Sequence, residues 1–341
     1  MKLIKTVDSV GHVLCHDLTQ IIPGVSKDAR FRKGHIVTEE DIPVLLSMGK
    51  ENLYVWEKRE GILHENEGAD ILRTICQNEY MHASDVKEGK VELIADRDGL
   101  FLVNVDALNA VNEQEELMIA TRHGNTAVKQ GDKLAGMRII PLVIEKEKLE
   151  LARHAAGNEP ILSLLPWKKN TAGIITTGNE VYSGLIQDAF TPVVKKKLEA
   201  YGITVAEHIL CNDDKLMILD AIATMRSKAV DLIICTGGMS VDPDDRTPGA
   251  IRDSGAQMVT YGAPVLPGAM LALGYFPDET PIIGLPGCVM YAKATIFDLL
   301  LPRLVAGVPI TRKDIVSLGY GGLCLGCREC HYPDCSFGKS I

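Results

Sequence analysis

The stretch that decides the fold is Val230-Asp-Leu-Ile-Ile-Cys-Thr-Gly-Gly-Met-Ser240, an apolar run that ends in two glycines. A short, continuous apolar run is typical of a strand that is buried on both faces of a parallel sheet. A similar run over 172–176 ends in Thr177-Gly178, and a helical pattern follows over 190–201. Strands that alternate with helices indicate βαβ units. The sequence therefore predicts an α/β domain over 171–309, with a doubly wound, mostly parallel sheet.

The rest of the chain divides into segments of different character. Residues 1–158 alternate short β-like runs with turns, which predicts a mixed, β-rich N-terminal region; its boundaries also allow two subdomains, 1–60 and 61–145. Residues 310–341 form a Cys-rich tail. Within the α/β domain we expect strands over 203–209, 230–235, 257–261, 270–276 and 281–284, helices that open at Asp213-Asp214 and at Thr247-Pro248, and a long apolar helix over 289–305.

Composition excludes several classes of protein. The 341 residues carry 36 Lys and Arg against 45 Asp and Glu, so the net charge is −9, which disfavours a protein that binds a nucleic-acid backbone. Hydrophobic residues make up 46% of the chain, a typical share for a folded protein. No apolar stretch reaches the roughly 20 residues that a membrane span needs. We therefore expect no signal peptide, no membrane segment and a cytoplasmic location.

Acidic residues and glycines concentrate where the predicted strands end. Ligands of doubly wound sheets bind at the carboxyl ends of the strands. Glycines there let main-chain N–H groups approach an anion such as phosphate, whereas carboxylates would repel it. A divalent cation that bridges the two resolves this conflict, so the pattern favours a phosphorylated ligand with Mg²⁺. The acidic residues in question are Glu180, Asp188, Asp213, Asp214, Asp242, Asp244 and Asp245.

Several features of the same loops have simpler explanations. An Asp that opens a helix, such as Asp213 or Asp214, is more often a helix cap than a metal ligand. Ser240 is no hydrolase nucleophile, because its surroundings lack the second glycine of a nucleophile elbow. The chain also contains neither a Walker A motif nor a dinucleotide-binding GxGxxG. The occurrence of carboxylates at several strand ends of one sheet still favours a binding site.

The order of these motifs resembles that of molybdopterin-binding domains, and most of all the molybdopterin molybdenumtransferases, which include the gephyrin E-type domain. The resemblance covers about 171–307, and 128–143 is similar to the segment that leads into that domain. The motifs that carry it are Thr177-Gly-Asn-Glu180, Gly184-Leu-Ile-Gln-Asp188, Asp213-Asp214, Gly237-Gly-Met-Ser-Val241 with Asp245, Pro267-Gly268 and Gly284-Leu-Pro-Gly287.

The resemblance implies a function and a set of site residues. The implied ligand is molybdopterin or its adenylated form, and the implied reaction is the Mg²⁺-dependent insertion of molybdate. The residues that would hold Mg²⁺ or molybdate are Glu180, Asp188, Asp214 and Asp245. The residues that would bind the pterin, several of them around its phosphate, are Thr177, Gly178, Gly237, Gly238, Ser240, Pro267, Gly268, Gly284, Pro286 and Gly287.

The chain departs from the family pattern at several positions. Leu266 and Ala269 stand where the family usually has lysines, Asp242 replaces a glycine, and Cys288 replaces an asparagine. The first 120 residues lack the family's Asp-Gly-Tyr/Phe-Ala motif. We also expect the Cys-rich tail to stand in place of the family's C-terminal β-barrel. These departures bear more on molybdate insertion than on pterin binding.

The tail carries the spacing C-x2-C-x2-C-x4-C. Four thiolates this close together can hold tetrahedral Zn²⁺ or an iron–sulfur cluster. Successive x2 spacings favour the cluster, whereas zinc and unligated thiols remain open. The expected ligands are Cys324, Cys327, Cys330 and Cys335.

Three functions follow from these features. The first is molybdate insertion. The second is a non-catalytic molybdopterin carrier or sensor whose metal-bearing tail docks a molybdoenzyme. The third is a nucleotide pyrophosphatase, because Asp242-Pro-Asp-Asp-Arg-Thr247 resembles a loop of the competence-damage-inducible proteins. The resemblance also implies a homodimer.

Overall fold

The structure is a computed structural model that describes residues 2–22, 26–55, 60–240, 242 and 245–339. Of the motif residues considered above, Val241, Pro243 and Asp244 lie outside the described residues. The chain forms two compact units. The first comprises Met1–Arg97, Val103–Arg122 and Gln130–Leu164, and the second comprises Asp98–Leu102, His123–Lys129 and Leu165–Ile341.

The N-terminal part is rich in short antiparallel strands, as the sequence predicts. Its elements are β1 (Lys2–Lys5), β2 (Leu18–Ile22), β3 (Ser26–Phe31), α1 (Asp41–Ser47), β4 (Asn52–Val55), β5 (Ile62–His64), α2 (Glu65–Cys76), β6 (Met81–Ala83), β7 (Val91–Ala95), β8 (Gly99–Val103), α3 (Val105–Asn112), β9 (Leu117–Thr121), β10 (Thr126–Val128), β11 (Lys133–Ile139), β12 (Val143–Glu145), α4 (Lys146–Ala156) and β13 (Leu162–Leu165). Strands β6-β7-β11-β9 form one antiparallel sheet, and β1–β4, β2–β3 and β5–β12 form antiparallel pairs.

The second unit contains the predicted doubly wound sheet. Besides β8 and β10, its elements are β14 (Thr171–Thr177), α5 (Asn179–Tyr182), α6 (Phe190–Glu199), β15 (Thr204–Cys211), α7 (Lys215–Ser227), β16 (Leu232–Thr236), α8 (Thr247–Asp253), β17 (Gln257–Tyr261), β18 (Ala272–Tyr275), β19 (Pro281–Leu285), α9 (Ile296–Ala306) and α10 (Arg312–Ser317). The strand order is β15-β14-β16-β19-β18-β17. The first four strands are parallel, and β18 runs antiparallel to both β19 and β17.

Helices cover both faces of this sheet. Ile174 packs in a core cluster with α6 and α9, whereas its neighbour Ile175 packs in a second cluster with α7 and α8. Successive strand residues point to opposite faces, so an element buried on both sides must be apolar at every position. This explains why the strands read as continuous apolar runs.

The long helix predicted over 289–305 is wrong at its start. Residues Gly287–Met290 form one 3-10 turn, and α9 begins only at Ile296. Thr295 accepts a hydrogen bond from the Phe297 amide, and Asp298 accepts one from the Thr295 amide, which completes a capping box. The apolar pattern continues across this boundary because both segments face the core.

None of the helices in the described part of the chain has the length and apolar character needed to cross a bilayer.

The capping box gives a first prediction. We expect Thr295→Ala to lower the free energy of unfolding by about 0.5–2 kcal/mol, because the first-turn amides of α9 lose their acceptor. Thr295→Ser keeps the hydroxyl and should stay close to the parent protein. Urea denaturation of the three proteins measures the difference, and equal midpoints for the two variants would contradict the capping role.

Candidate functional site

The predicted glycines meet at the carboxyl edge of the sheet. In the register of the parallel strands, Thr176 lies opposite Thr236, and Thr236 opposite Leu285, so the loops after β14, β16 and β19 leave the sheet at the same level. Gly237 and Gly238 follow β16 directly, and both have positive φ, +83° and +53°. The sequence therefore places its Gly-Gly turn where a doubly wound sheet binds ligands.

The Gly-Gly turn packs tightly against β14. A methyl group at Gly237 would lie 2.1 Å from the carbonyl oxygen of Thr177, so no side chain fits there. A methyl group at Gly238 would lie 2.9 Å from Oγ1 of Thr247 and 3.1 Å from Oγ1 of Thr177. These two buried hydroxyls are themselves 3.0 Å apart. No motif in the sequence marked the contact between Thr247 and Thr177.

Asp213 is the carboxylate that lies beside this turn. Its Oδ2 accepts a hydrogen bond from the Asn179 amide at 2.9 Å, and Oδ1 of Asn179 accepts one from the Asp213 amide at 3.3 Å. A methyl group at Gly238 would lie 3.7 Å from Oδ1 of Asp213. Asn179 belongs to α5, which Gly178 precedes with a φ of +138°. The pair therefore joins the loops after β14 and β15.

Asp214, which the family resemblance favoured over Asp213, has a different position. It is exposed, and its Oδ1 accepts a hydrogen bond from the Met217 amide at 3.0 Å as the N-cap of α7. Asp214 is therefore a helix cap, which is the simpler of the two roles that its position in the sequence allowed. Glu180 is exposed on α5.

Asp188 also serves a helix start. Its Oδ1 accepts hydrogen bonds from the amides of Phe190 at 2.8 Å and Thr191 at 3.0 Å, at the beginning of α6. Its Oδ2 accepts from the hydroxyls of Thr191 and Thr176, and His208 lies 3.5 Å away. Burial alone would raise the pKa of Asp188, but the hydrogen bonds from Thr191 and Phe190 outweigh burial and lower this pKa.

Asp245 lies next to the end of the Gly-Gly motif. Its Oδ2 accepts a hydrogen bond from the Ser240 amide at 2.6 Å. The Tyr261 hydroxyl donates to the carbonyl oxygens of Met239 at 3.2 Å and Ser240 at 3.4 Å. Burial raises the pKa of Tyr261, and the charge of Asp245 adds to that rise. Tyr261, which the motifs did not mark, thus holds the main chain of this loop.

The remaining glycines serve two different purposes. A methyl group at Gly284 would lie 2.6 Å from Sδ of Met239, and one at Gly268, beside Pro267, would lie 2.5 Å from Cγ2 of Ile296. Gly268 therefore needs glycine for packing, whereas a side chain at Gly284 would require the flexible end of Met239 to move. Gly287, which follows Pro286, is open: a methyl group there would meet no described atom within 4 Å.

The side chains at the carboxyl edge of the sheet could hold Mg²⁺ only together with a phosphorylated ligand. Among the residues that the structure describes, no three His, Cys, Asp or Glu side chains are grouped to hold a metal ion. Mg²⁺ in proteins typically takes one or two carboxylates and completes its shell with water and substrate phosphates. Asp213 and Asp245, on either side of the Gly-Gly motif, match that donor set.

The four tail cysteines line one cavity of about 330 Å³. Cys327 is exposed and the other three are partly buried. The same cavity is lined by Pro267 and by residues 292–294. None of the chain's nine cysteines, all of which are described, forms a disulfide. The structure thus brings the predicted metal ligands to one cavity without arranging them as a coordination sphere.

Comparison with known protein families finds two segments of the chain that match a family model. Residues 173–306 match the family model described as the probable molybdopterin binding domain, and residues 3–57 match a domain of unknown function, DUF8806. Residues 173–306 are therefore similar to molybdopterin-binding domains. The resemblance seen in the motifs is thereby confirmed.

Proteins of different names are similar to parts of this chain. A molybdopterin molybdenumtransferase of Synechococcus elongatus is 24% identical over 60% of this chain and 54% of its own length. A CinA-like protein of Mycobacterium avium is 36% identical over 76 residues, which are 22% of this chain and 18% of that protein. The chain thus spans about half of the first relative and under a fifth of the second. The solved structure of MoaB from Thermus thermophilus is 21% identical over 42% of this chain and 98% of its own, with a TM-score of 0.33.

The contact between Gly237 and Thr177 gives a second prediction. We expect Gly237→Ala to destabilise the protein more than Gly202→Ala. Both glycines have left-handed φ, which costs an alanine about 1–2 kcal/mol, but only Gly237 also lies against main chain. Gly202, with no described atom within 4 Å of its added methyl group, is the matched control. Denaturant unfolding compares them, and equal losses would refute the close contact.

The hydrogen bonds of Asp188 give a third prediction. We expect Asp188→Asn to lower the free energy of unfolding at pH 7. A carboxyl whose pKa is lowered by folding stabilises the protein above its unfolded pKa of about 3.9, and that contribution is lost as the pH falls through the folded pKa. The difference between the parent and the variant should therefore shrink below about pH 4. Urea denaturation from pH 7 to pH 3 measures it, and a gap independent of pH would contradict this.

Proposed function

We propose that residues 171–309 bind molybdopterin or its adenylated form and that the chain inserts molybdate in a Mg²⁺-dependent reaction. The observation that carries the proposal is the position of Asp213 beside the Gly237-Gly238 turn, in a segment that matches the molybdopterin-binding family model. Glycine there lets an anionic ligand approach the main chain. The Asp213 carboxylate can then bind the Mg²⁺ ion that is coordinated by the phosphate of the ligand.

The chemistry divides between the two sides of the loop. In the proposed complex, Gly237 and Gly238 bind the phosphate through main-chain N–H groups, and Asp213 and Asp245 hold the cation. Mg²⁺, when bound, neutralises phosphate charge. Thr177, Thr247 and Tyr261 keep the loop in place through the contacts described above. Asp188 and Asp214 support the site by capping the helices that frame it.

The test is release of AMP from adenylated molybdopterin when molybdate and Mg²⁺ are added. We expect Asp213→Asn and Asp245→Asn to reduce the Mg²⁺-dependent rate about 10–100-fold, because each removes a charge from the cation site. Asp220→Asn, an exposed carboxylate on α7, is the matched control and should leave the rate unchanged. Binding without any release of AMP would refute insertion, and absence of binding would refute the pterin proposal as a whole.

A metal in the tail is the second part of the proposal. We propose that Cys324, Cys327, Cys330 and Cys335 hold an iron–sulfur cluster, with Zn²⁺ as the alternative. Support comes from their spacing and from the single cavity that all four line. The proposal places the chain in the cytosol, where thiols stay reduced. Anaerobic purification, metal analysis and an optical spectrum test it: iron with broad visible absorption is expected, zinc alone would replace the cluster, and neither metal would refute the site.

A carrier that docks a molybdoenzyme is a second candidate function. The observation that favours it is the exposure of Leu323 (61%) and Leu325 (75%), which line the same cavity as the cysteines. Exposed apolar side chains of this kind suit a contact with another protein. Co-sedimentation with a molybdoenzyme, lost in a Leu323→Ser and Leu325→Ser double variant, would support it. We also propose that the chain forms a homodimer. Sedimentation of the chain alone measures its oligomeric state and tests this proposal.

The pyrophosphatase alternative rests on the 36% identity to a CinA-like protein over 76 residues. Incubation with ADP-ribose and a divalent metal decides it, and an absence of turnover would remove it.

A further inference from the structure

The Cys-lined cavity is built partly from the molybdopterin-binding domain. Besides the four cysteines, Pro267 and residues 292–294 line it. Pro267 belongs to the Pro267-Gly268 motif, and residues 292–294 follow the 3-10 turn that begins at Gly287. A metal in this cavity would therefore lie beside two loops that the resemblance assigns to pterin binding.

The tail is joined to the first of these loops through main-chain hydrogen bonds. The Leu266 amide donates to the carbonyl oxygen of Gly322 at 2.8 Å, and the Cys324 amide donates to the carbonyl oxygen of Leu266 at 2.8 Å. These bonds make a parallel bridge between Leu266 and Leu323. The residue before the Pro-Gly motif and the first of the four cysteines are thus held by the same pair of bonds.

The next residues carry the connection into α9. The Ile296 amide donates to the carbonyl oxygen of Pro267 at 3.2 Å. Gly268 packs so closely on Ile296 that a methyl group would lie 2.5 Å from its Cγ2. A displacement of Leu266 would therefore be transmitted to Pro267 and to the start of α9 through this hydrogen bond and the close contact of Gly268 with Ile296.

Asp298 provides a second connection between the tail and the loops. The Tyr332 hydroxyl donates to the carbonyl oxygen of Asp298 at 2.9 Å. Lys197 forms an ion pair with the Asp298 carboxylate and donates to the carbonyl oxygen of Lys293 at 3.2 Å. Burial raises the pKa of Cys288, which follows Gly287, and the charge of Asp298 adds to that rise. The Asp298 carboxylate therefore influences Cys288 in the loop after β19, while its main-chain carbonyl accepts a hydrogen bond from the tail.

We propose that a thiophilic metal in the Cys-lined cavity tightens pterin binding, by suppressing local opening of the tail and so fixing the Pro267-Gly268 loop. This inference rests on the proposed function of both sites. Short segments with few buried residues open more easily than the core, and among the described residues 321–339 only Gly322 and Phe337 are buried. A ligand that binds only the closed tail stabilises it, and the coupling between two such ligands is reciprocal.

Hydrogen exchange on the full-length chain tests the coupling without any pterin. The probes are Zn²⁺ alone, added under reducing anaerobic conditions, and iron with sulfide in a separate arm. We expect the Leu266, Cys324 and Ile296 amides to exchange about 5–150-fold more slowly when the metal is bound, which is the usual range of allosteric coupling. Protection confined to 318–339 apart from Cys324, or no change in either arm, would overturn the proposal.

Variants separate the metal from the connection. Cys327→Ser removes one thiolate at an exposed position and should abolish both metal uptake and the added protection. Cys15→Ser is the matched control, because serine can keep the hydrogen bond that the Cys15 thiol donates to the carbonyl oxygen of Tyr54 at 2.8 Å. Tyr332→Phe should keep metal uptake but lose part of the protection at Ile296.

Binding of molybdopterin to the loaded and metal-free chain completes the test. We expect at least about a fivefold higher affinity in the loaded state. Equal affinities would overturn the coupling and leave pterin binding in place. If neither state binds molybdopterin, the proposed function fails, and hydrogen exchange alone decides whether the tail and the loop are coupled.

Discussion

The close contact between Gly237 and the main chain of Thr177 is the constraint on which the site depends. A carbonyl oxygen lies 2.1 Å from where a side chain would begin, so the loop after β16 must fold directly against the end of β14. The next residue, Gly238, then lies against two buried hydroxyls and beside Asp213. The geometry of the cleft thus depends on position 237, where only glycine, with no side chain beyond a hydrogen atom, fits.

The carboxylates around this contact divide into two groups by what their oxygens already do. Asp188 and Asp214 accept hydrogen bonds from first-turn amides of α6 and α7, and they position the helices that frame the cleft. Asp213 accepts from the amide of Asn179, the first residue of α5, and Asp245 accepts from the Ser240 amide within the Gly-Gly motif. Neighbouring carboxylates of this edge thus have different roles: some cap helices, and others are available to the proposed cation site.

Much of this was predictable, and the errors have physical causes. Continuous apolar runs identified the parallel strands because burial on both faces leaves no polar position. The start of α9 was misplaced because an apolar pattern does not distinguish a 3-10 turn from a helix when both pack on the core. Spacing does not reveal which contacts two adjacent carboxylates make: Asp214 caps α7, whereas Asp213 accepts a hydrogen bond from Asn179.

By itself the sequence determined the α/β domain, the order of its loops, the family resemblance and the four clustered cysteines, because each of these is a local pattern of burial or spacing. Only the tertiary structure decided which glycines serve packing and which face open space. It alone paired Asp213 with Asn179 and Thr177 with Thr247, and it alone bonded the tail to Leu266. Contacts between residues far apart in sequence depend on how the strands align, and no local pattern records that alignment.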